Sequence, residues 1–315
     1  MIDVENLFFA WEMFRRGKRN RDDVMVFERH LEDNLFDLHD DLANGLYHHQ
    51  PYEVFTVHDP KQRIIHKACV RDRVLHQALV NIIEPRYERR FIHDSFSCRR
   101  EKGTHAAVNR LRTFLCRASI NNTKTIFTVK CDVRKFFDSI DHEILLELLF
   151  RHIHDPKTRE LFRHVIKGFA SSPGKGIPLG NLTSQLFANI YLHELDWFVK
   201  QKLGVKHYVR YCDDFVMVAS SRREGFEVTG RCDAFLRSRL KLELHSHKIH
   251  VRTWEQGVDF LGYVILPHAI LLRKETAKRA IRNISAKNSS SYLGLCAHSD
   301  SYEWECLMRN IVGKT

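Results

Sequence analysis

The sequence lacks the features that mark membrane, secreted and fibrous proteins. No uninterrupted apolar run approaches the roughly 18 residues that a membrane-spanning helix needs, and Asp3 and Glu5 near the start are not typical of a signal peptide. The eight cysteines include no Cys-x-x-Cys pair, so we expect free thiols in a reducing compartment. Only 14 glycines and 7 prolines are present, which excludes collagen-like and low-complexity chains. These absences predict a globular protein of the cytoplasm that does not bind a membrane.

What the sequence does contain is a surplus of positive charge. Its 50 Lys and Arg residues outnumber 39 Asp and Glu residues, giving a net charge of +11 with the 20 histidines counted as neutral. The chain is 43% hydrophobic and 28% charged, a balance typical of a packed globular protein. A length of 315 residues indicates two domains, or one large domain with lobes. The basic surplus predicts a polyanionic partner, of which nucleic acid is the favoured candidate.

Hydrophobic periodicity predicts a mixture of helices and strands. In the first part of the chain we expect helices over 5–45, a strand pair over 52–68 with a turn at Asp59-Pro60, a helix from Val70 that ends at Pro85, and a helix over 104–118. Further along we expect a strand over 125–133, a helix capped by Asp141, a long helix over 182–203, two strands over 208–220, a helix over 223–240 and strands over 258–272. This order predicts an α+β sheet with helices on one face.

Three aspartates stand at strand ends beside apolar neighbours. Asp132 lies near the end of the strand over 125–133, while Asp213 and Asp214 interrupt two short β segments and should lie at a turn. Adjacent ionised carboxylates repel each other, and a divalent cation would remove that cost. Mg²⁺ prefers such oxygen ligands, and two ions could serve an in-line displacement at phosphorus. Taken alone, however, two aspartates in a turn fit an ordinary hairpin better than a metal site.

The residues around these aspartates resemble the reverse transcriptases. Tyr211-Cys212-Asp213-Asp214 matches the Tyr-x-Asp-Asp box of that family, and the segment from Asp132 to His142 is similar to its first palm motif. The resemblance covers about residues 50–300 in the expected order. It implies a right-hand polymerase fold of the α+β class. Its parts would be fingers over 1–122 with 154–178 contributing, a palm over 123–270 and a short thumb over 271–315.

The second palm motif indicates which branch of the reverse transcriptases the chain resembles. The run from Ile177 to Gln185 has Leu179 where most reverse transcriptases have Gln, and Gln185 where most have Pro. This is similar to the diversity-generating retroelement branch, whose pattern is aliphatic-Gly-x-x-x-Ser-Gln. That branch implies copying of a template RNA into cDNA with errors opposite adenines. It also implies a small basic accessory variability protein, oligomeric, as partner.

The resemblance also implies roles for individual residues. The two Mg²⁺ ions would be held by Asp132, Val133, Asp213 and Asp214. Lys248 would be the catalytic lysine, either as a proton donor to pyrophosphate or as a neutralising charge. The primer-grip hairpin would turn at Leu261 and Gly262.

A second group of residues would bind the incoming dNTP. Phe137 would exclude a 2′-hydroxyl from the sugar site, and Asn181, Ser184 and Gln185 would face the nascent base pair. Leu179 and Gln185 would determine fidelity. The dNTP-binding residues as a whole would be Lys61, Arg63, Phe136, Phe137, Gly180 and Gln185.

Two alternatives stay open from the sequence. A retron-type or group II intron-derived reverse transcriptase would share the aspartates but not the second-motif pattern. A non-catalytic RNA-binding module would keep the fold and would have no need of the three aspartates. For the polymerase, the expected partners are template RNA, a DNA or RNA primer and dNTPs, in a bacterial or phage-encoded setting.

Overall fold

The computed structural model describes residues 3–58 and 61–313. The predicted turn at Asp59-Pro60 therefore lies outside the described residues. Within them, no helix is both long and apolar enough to cross a membrane. The eight cysteines are free thiols, as the sequence predicts.

The first part of the chain is mainly helical. Its elements are α1 (Val4–Arg15), α2 (Asp22–Glu28), α3 (Leu31–Asn44), β1 (Glu53–Val57), β2 (Arg63–Lys67), α4 (Val70–Glu88) and α5 (Thr104–Ala118). The middle part alternates strands and helices. Its elements are β3 (Phe127–Asp132), α6 (Phe136–Ser139), α7 (His142–Phe150), α8 (Pro156–Lys167), α9 (Leu182–Trp197), β4 (Tyr208–Tyr211), β5 (Asp214–Ala219) and α10 (Arg222–Phe235).

The last part contains four short strands and a helical tail. Its elements are β6 (His250–Thr253), β7 (Val258–Phe260), β8 (Tyr263–Ile265), β9 (Ile270–Leu272), α11 (Lys274–Asn283), α12 (Ser289–Cys296) and α13 (Tyr302–Val312). One turn of π-helix extends each of α9 and α10, over Phe198–Lys202 and Leu236–Leu240. The mixed architecture agrees with the α+β class predicted from the sequence.

The chain forms two compact units, each assembled from three separate segments. Unit 1 comprises Met1–Ile92, Arg134–Glu194 and Leu236–Glu243. Unit 2 comprises His93–Val133, Leu195–Phe235 and Leu244–Thr315. The predicted fingers, palm and thumb boundaries stay a prediction.

Helices form the core of unit 1. The apolar side of α1 packs against α3 and α4, and Trp11 is fully buried with its ring 5.3 Å from that of Phe27. Leu7 and Leu35 are also fully buried. Large aromatic and aliphatic side chains in such contacts supply most of the burial that stabilises a helical body.

The helix α4 corrects the prediction that Pro85 ends it. The helix continues through Pro85 to Glu88. Proline lacks one N–H donor, so the helix loses a hydrogen bond at that turn. Tyr87 compensates, because its ring is buried and its hydroxyl donates to the carbonyl of Leu148 at 3.1 Å. Burial in the last turn thus outweighs the local preference of proline.

Unit 2 is built on an antiparallel sheet in the order β4-β5-β3-β6. In the pairing of β3 with β5, Asp132 stands opposite Asp214 and Val129 opposite Met217. The register places the two aspartates together at the same end of the sheet. A second sheet, in the order β7-β8-β9, belongs to the same unit.

The sheet carries helices on both faces, which corrects the prediction of a single covered face. The helix α5 packs on β4 and β5, and α10 packs on β3, β5 and β6. Gly225 of α10 lies against Val129 on one face, whereas Val216 belongs to the core cluster of α5 on the other. Phe215, Val216 and Met217 are consecutive and buried. A continuous apolar run of this kind is typical of a strand covered on both sides.

The helix α7 begins with a side-chain cap, as the sequence predicts. The carboxylate of Asp141 accepts hydrogen bonds from the N–H groups of Glu143 and Ile144 at 3.1 and 3.2 Å. Its other oxygen accepts from Nζ of Lys241 at 2.7 Å. Burial opposes ionisation of Asp141, but these donors outweigh it and lower the pKa of the carboxyl below its ordinary 3.8.

We predict that Asp141→Ala lowers the free energy of unfolding by about 1–2 kcal/mol, because α7 loses its cap. The pKa of Asp141 is lower in the folded protein than in the unfolded chain. The ionised cap therefore stabilises the fold at pH values above the unfolded pKa, and this stabilisation is lost as pH falls through the native pKa. Melting temperatures of wild type and variant should therefore differ from neutral pH down to about pH 4, and approach each other as pH falls further. Glu147→Ala is the control, since Glu147 forms an exposed ion pair on the same helix. A gap that is constant with pH would contradict the assignment.

Candidate active site

The Tyr-x-Asp-Asp box forms a tight hairpin between β4 and β5. Tyr211 pairs with Asp214, which leaves Cys212 and Asp213 as a two-residue loop. Cys212 has a φ of +55°, a left-handed conformation that favours glycine and costs a cysteine about 1–3 kcal/mol. The carbonyl of Asp213 accepts from the N–H of Val133 at 3.2 Å. The loop therefore needs support from neighbouring groups.

The hairpin and β3 bring the three predicted aspartates together in unit 2. Asp132 is the register partner of Asp214, and Asp213 is adjacent in the chain. Burial and then the charge of Asp132 raise the pKa of Asp213. Burial and the neighbouring carboxylates raise the pKa of Asp214 to about 7, although the charge of Lys130 opposes this shift. Full ionisation of the cluster is therefore unfavourable unless cations compensate its negative charge.

Two lysines compensate this charge. Nζ of Lys248 lies 2.8 Å from Oδ1 of Asp132, where the sequence analysis places a catalytic lysine. Nζ of Lys130 lies 3.3 Å from Oδ2 of Asp214 and donates to the carbonyl of Asp259 in β7 at 2.8 Å. Sequence reasoning missed Lys130. Its signal is a lysine between Val129 and Cys131 in the middle of a strand.

The carboxylate oxygens of the three aspartates suit a hard divalent cation, although they are not already arranged around a metal position. Within residues 3–58 and 61–313, no group of three or more His, Cys, Asp or Glu side chains is arranged to hold a metal. Oδ1 of Asp214 is nevertheless buried with no hydrogen-bond partner among the described residues. An orphaned carboxylate oxygen beside two further carboxylates fits the chemistry of Mg²⁺. Val133 could add only its main-chain carbonyl, because its side chain is apolar and buried.

The predicted primer-grip turn is a two-residue hairpin loop between β7 and β8. Leu261 and Gly262 have φ angles of +52° and +89°, and turns of type I′ require two positive φ angles. The carbonyl of Gly262 accepts from the N–H of Arg273 at 2.9 Å. Lys130 therefore connects β7, through the carbonyl of Asp259, with the carboxylate of Asp214.

The second predicted group of residues assembles in unit 1. The N–H of His66 in β2 donates to the carbonyl of Leu179 at 3.0 Å. The side-chain amide of Asn181 donates to the carbonyl of His66 at 2.8 Å and accepts from the N–H of Ala68 at 3.3 Å. Asn181 is buried. It joins the second palm motif to the β1–β2 hairpin, and both ends of its amide are engaged with main-chain groups. Its predicted contact with the nascent base pair stays a prediction.

The remaining predicted nucleotide-binding side chains of unit 1 differ in exposure. Lys61 and Arg63 are exposed and form no ion pair within the described part of the chain. Phe136 is buried, while Phe137 is only half-buried and its carbonyl accepts from the N–H of Ile177 at 2.9 Å. In the second palm motif, Leu179 is half-buried, and Gly180 and Gln185 are exposed. Of the two phenylalanines, Phe137 is thus the one with surface left for a ligand.

Comparison with known proteins identifies the family. A model described as reverse transcriptase (RNA-dependent DNA polymerase) matches residues 57–265, which is more than half of the chain. The chain belongs to the reverse transcriptase family. This match confirms the family resemblance and the enzyme class read from the sequence.

Relatives of this reverse transcriptase include bacterial proteins. Protein YkfC of Escherichia coli (strain K12) is 25% identical over 271 residues, covering 73% of this chain and 70% of YkfC. The group II intron-encoded protein LtrA of Lactococcus lactis subsp. cremoris is 25% identical over 295 residues, covering 71% of this chain and 48% of LtrA. Neither name is specific for the diversity-generating branch.

A solved structure supports the fold. The apo telomerase of Candida tropicalis matches with a TM-score of 0.56 at 12% identity, covering 78% of this reverse transcriptase and 51% of the telomerase. The likeness confirms the right-hand polymerase fold and nothing finer. The chain spans about half the length of LtrA and of this telomerase.

The turn at Gly180 yields a stability prediction. Gly180 has a φ of +109°, and a Cβ there would lie 2.7 Å from Cγ2 of Ile65. We predict that Gly180→Ala lowers the free energy of unfolding by more than about 1 kcal/mol, measured by denaturant melts. Ile65→Ala added to this variant should relieve the contact and leave only the backbone cost.

Gly230→Ala is the matched control for Gly180→Ala. Gly230 lies within α10, and a Cβ there would meet nothing within 4 Å. Alanine is the better helix former, so this variant should be stabilised by about 0.5–1 kcal/mol. Equal effects of the two substitutions would contradict the strained turn.

Proposed function

We propose that this reverse transcriptase copies a template RNA into cDNA and is error-prone opposite adenines, as in diversity-generating retroelements. The polymerase part rests on one observation, the β3–β5 register that sets Asp132 opposite Asp214 beside Asp213. The error-prone part rests on Leu179 and Gln185, which replace Gln and Pro of the common second motif. Leu179 also accepts a main-chain hydrogen bond from the β1–β2 hairpin.

The three aspartates and the main-chain carbonyl of Val133 would hold two Mg²⁺ ions, which would supply activation of a primer 3′-hydroxyl and charge stabilisation of the leaving pyrophosphate. The residues of the chain have their own tasks. Lys248 neutralises Asp132 and stands ready to meet the charge of the leaving group. Lys130 holds Asp214 and, through Asp259, the strand before the Leu261-Gly262 turn. We assign that turn to positioning the primer end.

We assign binding of the incoming dNTP to residues of unit 1. Lys61 and Arg63 suit the triphosphate, since both are exposed cations without an ion pair among the described residues. The half-buried ring of Phe137 would contact the sugar, with the buried Phe136 packed against it at a ring distance of 5.4 Å. Gly180 would let the main chain approach the nucleotide. Leu179 and Gln185 would contact the base pair with an apolar side chain where other branches have Gln, and with an amide where they have Pro.

The proposal extends to partners. Template RNA, a primer and a small basic, oligomeric accessory variability protein would assemble with this chain in a bacterial or phage-encoded, cytoplasmic system. The net charge of +11 supports the nucleic-acid partners. The bacterial sources of YkfC and LtrA support the bacterial setting.

A specific observation favours a second candidate, a group II intron-type enzyme of ordinary fidelity. LtrA, a group II intron-encoded protein, aligns with 71% of this chain. Such an enzyme would use the same aspartates and would differ in the errors it makes. The non-catalytic RNA-binding module is disfavoured by the complete set of Asp132, Asp213 and Asp214.

Primer extension on an RNA template with Mg²⁺ and dNTPs tests these candidates, with every product sequenced. The reaction is run with and without the accessory protein. We expect cDNA whose errors concentrate opposite template adenines. Asp213→Asn should abolish extension, by at least about 10³-fold, without lowering the melting temperature, because it removes a ligand charge but little volume.

The outcomes separate the candidates. Errors spread evenly over the four template bases would overturn the diversity-generating assignment and favour the intron-type enzyme. Extension by Asp213→Asn at the wild-type rate would refute the assigned carboxylates. Folded wild-type protein that binds RNA but makes no product under either condition would favour the RNA-binding module.

Sugar selection gives a separate prediction for Phe137. Phe137→Ala should raise the use of rNTPs relative to dNTPs by at least about tenfold, because the ring no longer collides with the 2′-hydroxyl. The ratio of kcat/KM values for dATP and ATP measures this effect. Phe137→Tyr keeps the ring and should keep the selectivity. An unchanged ratio in Phe137→Ala would rule out this role.

A further inference from the structure

A buried arginine lies directly behind the Cys212-Asp213 loop. Arg210 and Asp196 are both fully buried and form a two-point ion pair, with Nε and Nη2 of the guanidinium at 2.7 and 2.6 Å from the two carboxylate oxygens. Nη2 also donates to Oγ of Ser95 at 3.0 Å. The third guanidinium nitrogen, Nη1, donates to the carbonyl of Cys212 at 3.0 Å.

The carbonyl of Cys212 belongs to the strained residue of the loop. Cys212 holds its φ of +55° without the freedom of glycine, so some contact must keep the loop from relaxing. The N–H of Val133 holds the carbonyl of Asp213, and Arg210 holds the carbonyl of Cys212. These two hydrogen bonds grip the peptide groups on both sides of the Asp213 α-carbon.

We propose that Arg210 is a positioning residue, which fixes the Cys212 carbonyl and thereby sets the direction of the Asp213 carboxylate toward the metal ions. This inference rests on the proposed polymerase function. Asp196 fixes the guanidinium from behind, and Arg210 transmits that rigidity to the loop. The planar guanidinium is suited to this task because it can bind a carboxylate with two groups while a third points elsewhere.

A purely structural role makes a different prediction. Tyr208 donates to Oδ1 of Asp196 at 2.6 Å, in the same buried network, but no hydrogen bond joins its hydroxyl to Cys212 among those of the described residues. Loss of the Tyr208 hydroxyl should therefore weaken the network without freeing the loop. Tyr208→Phe is the matched control for the network's contribution to stability alone.

Two variants remove the grip on the loop in different ways. Arg210→Lys keeps a positive charge for Asp196 but has no fork to reach the Cys212 carbonyl. The double variant Arg210→Met with Asp196→Leu removes both charges, so no lone charge is buried and the chain can fold. Both should lower kcat for extension by about 100-fold, the effect of a displacement of about 1 Å in a catalytic group. KM for dNTP should stay within about twofold, since the nucleotide contacts are untouched.

A second readout does not depend on catalysis. Mn²⁺ is titrated into each variant and free ion is measured by electron paramagnetic resonance, without nucleotide or primer. Mn²⁺ should bind the wild type and Tyr208→Phe alike, and bind Arg210→Lys and the double variant at least about tenfold more weakly. Asp213→Asn defines the signal that belongs to the aspartates.

Each result has one meaning. Equal kcat and equal Mn²⁺ affinity in Arg210→Lys and Tyr208→Phe would overturn the positioning role, as would a wild-type Mn²⁺ signal that Asp213→Asn does not change. A wild type that makes no cDNA would defeat the proposed function instead. In that case a selective loss of Mn²⁺ affinity in the Arg210 variants would still support the grip on the loop.

Discussion

The pairing of β3 with β5 is the interaction on which the candidate site depends. Its register alone sets Asp132 opposite Asp214, and a slip of one residue would turn one of the two carboxylates to the other face of the sheet. Placing these carboxylates together is electrostatically unfavourable, because they are buried and repel each other. The raised pKa values of Asp213 and Asp214 reflect this cost. Lys130 and Lys248 offset that repulsion.

The surrounding fold holds this unfavourable arrangement in place. Helices cover both faces of the sheet, so the strand that follows the aspartates is buried at Phe215, Val216 and Met217 and cannot slide without exposing apolar surface. The Cys212-Asp213 loop is held by groups that are themselves fixed. Val133, in the chain after β3, binds the carbonyl of Asp213, and Arg210, fixed by its buried ion pair, binds the carbonyl of the left-handed Cys212. Local strain at the loop is thus balanced by packing and hydrogen bonding elsewhere, as is common at functional sites.

Much of this could be predicted from the sequence, and the misses have physical causes. Periodicity predicted the strand pair, α5 and the long α9, and the cap at Asp141 followed from its side-chain chemistry. Pro85 misled because its local effect is outweighed by the burial of Tyr87. Covering of both sheet faces depends on where α5 and α10 pack, which no local pattern encodes. The hydrogen bonds of Asn181 could not be predicted because its partners, His66 and Ala68, are distant in the chain.

The sequence by itself determined the family and the identity of the three aspartates, because ordered motifs need only residue types and spacing. It also determined the basic charge and the departures at Leu179 and Gln185. Only the tertiary structure decided which cations stand beside the carboxylates and what supports the Cys212-Asp213 loop. In the sequence, Lys130 and Arg210 are each simply a charged residue in a strand. Strand pairing brings Lys130 to Asp214, and burial brings Arg210 to Asp196. Contacts between residues far apart in the chain depend on register and packing, and these arise only when the whole unit folds.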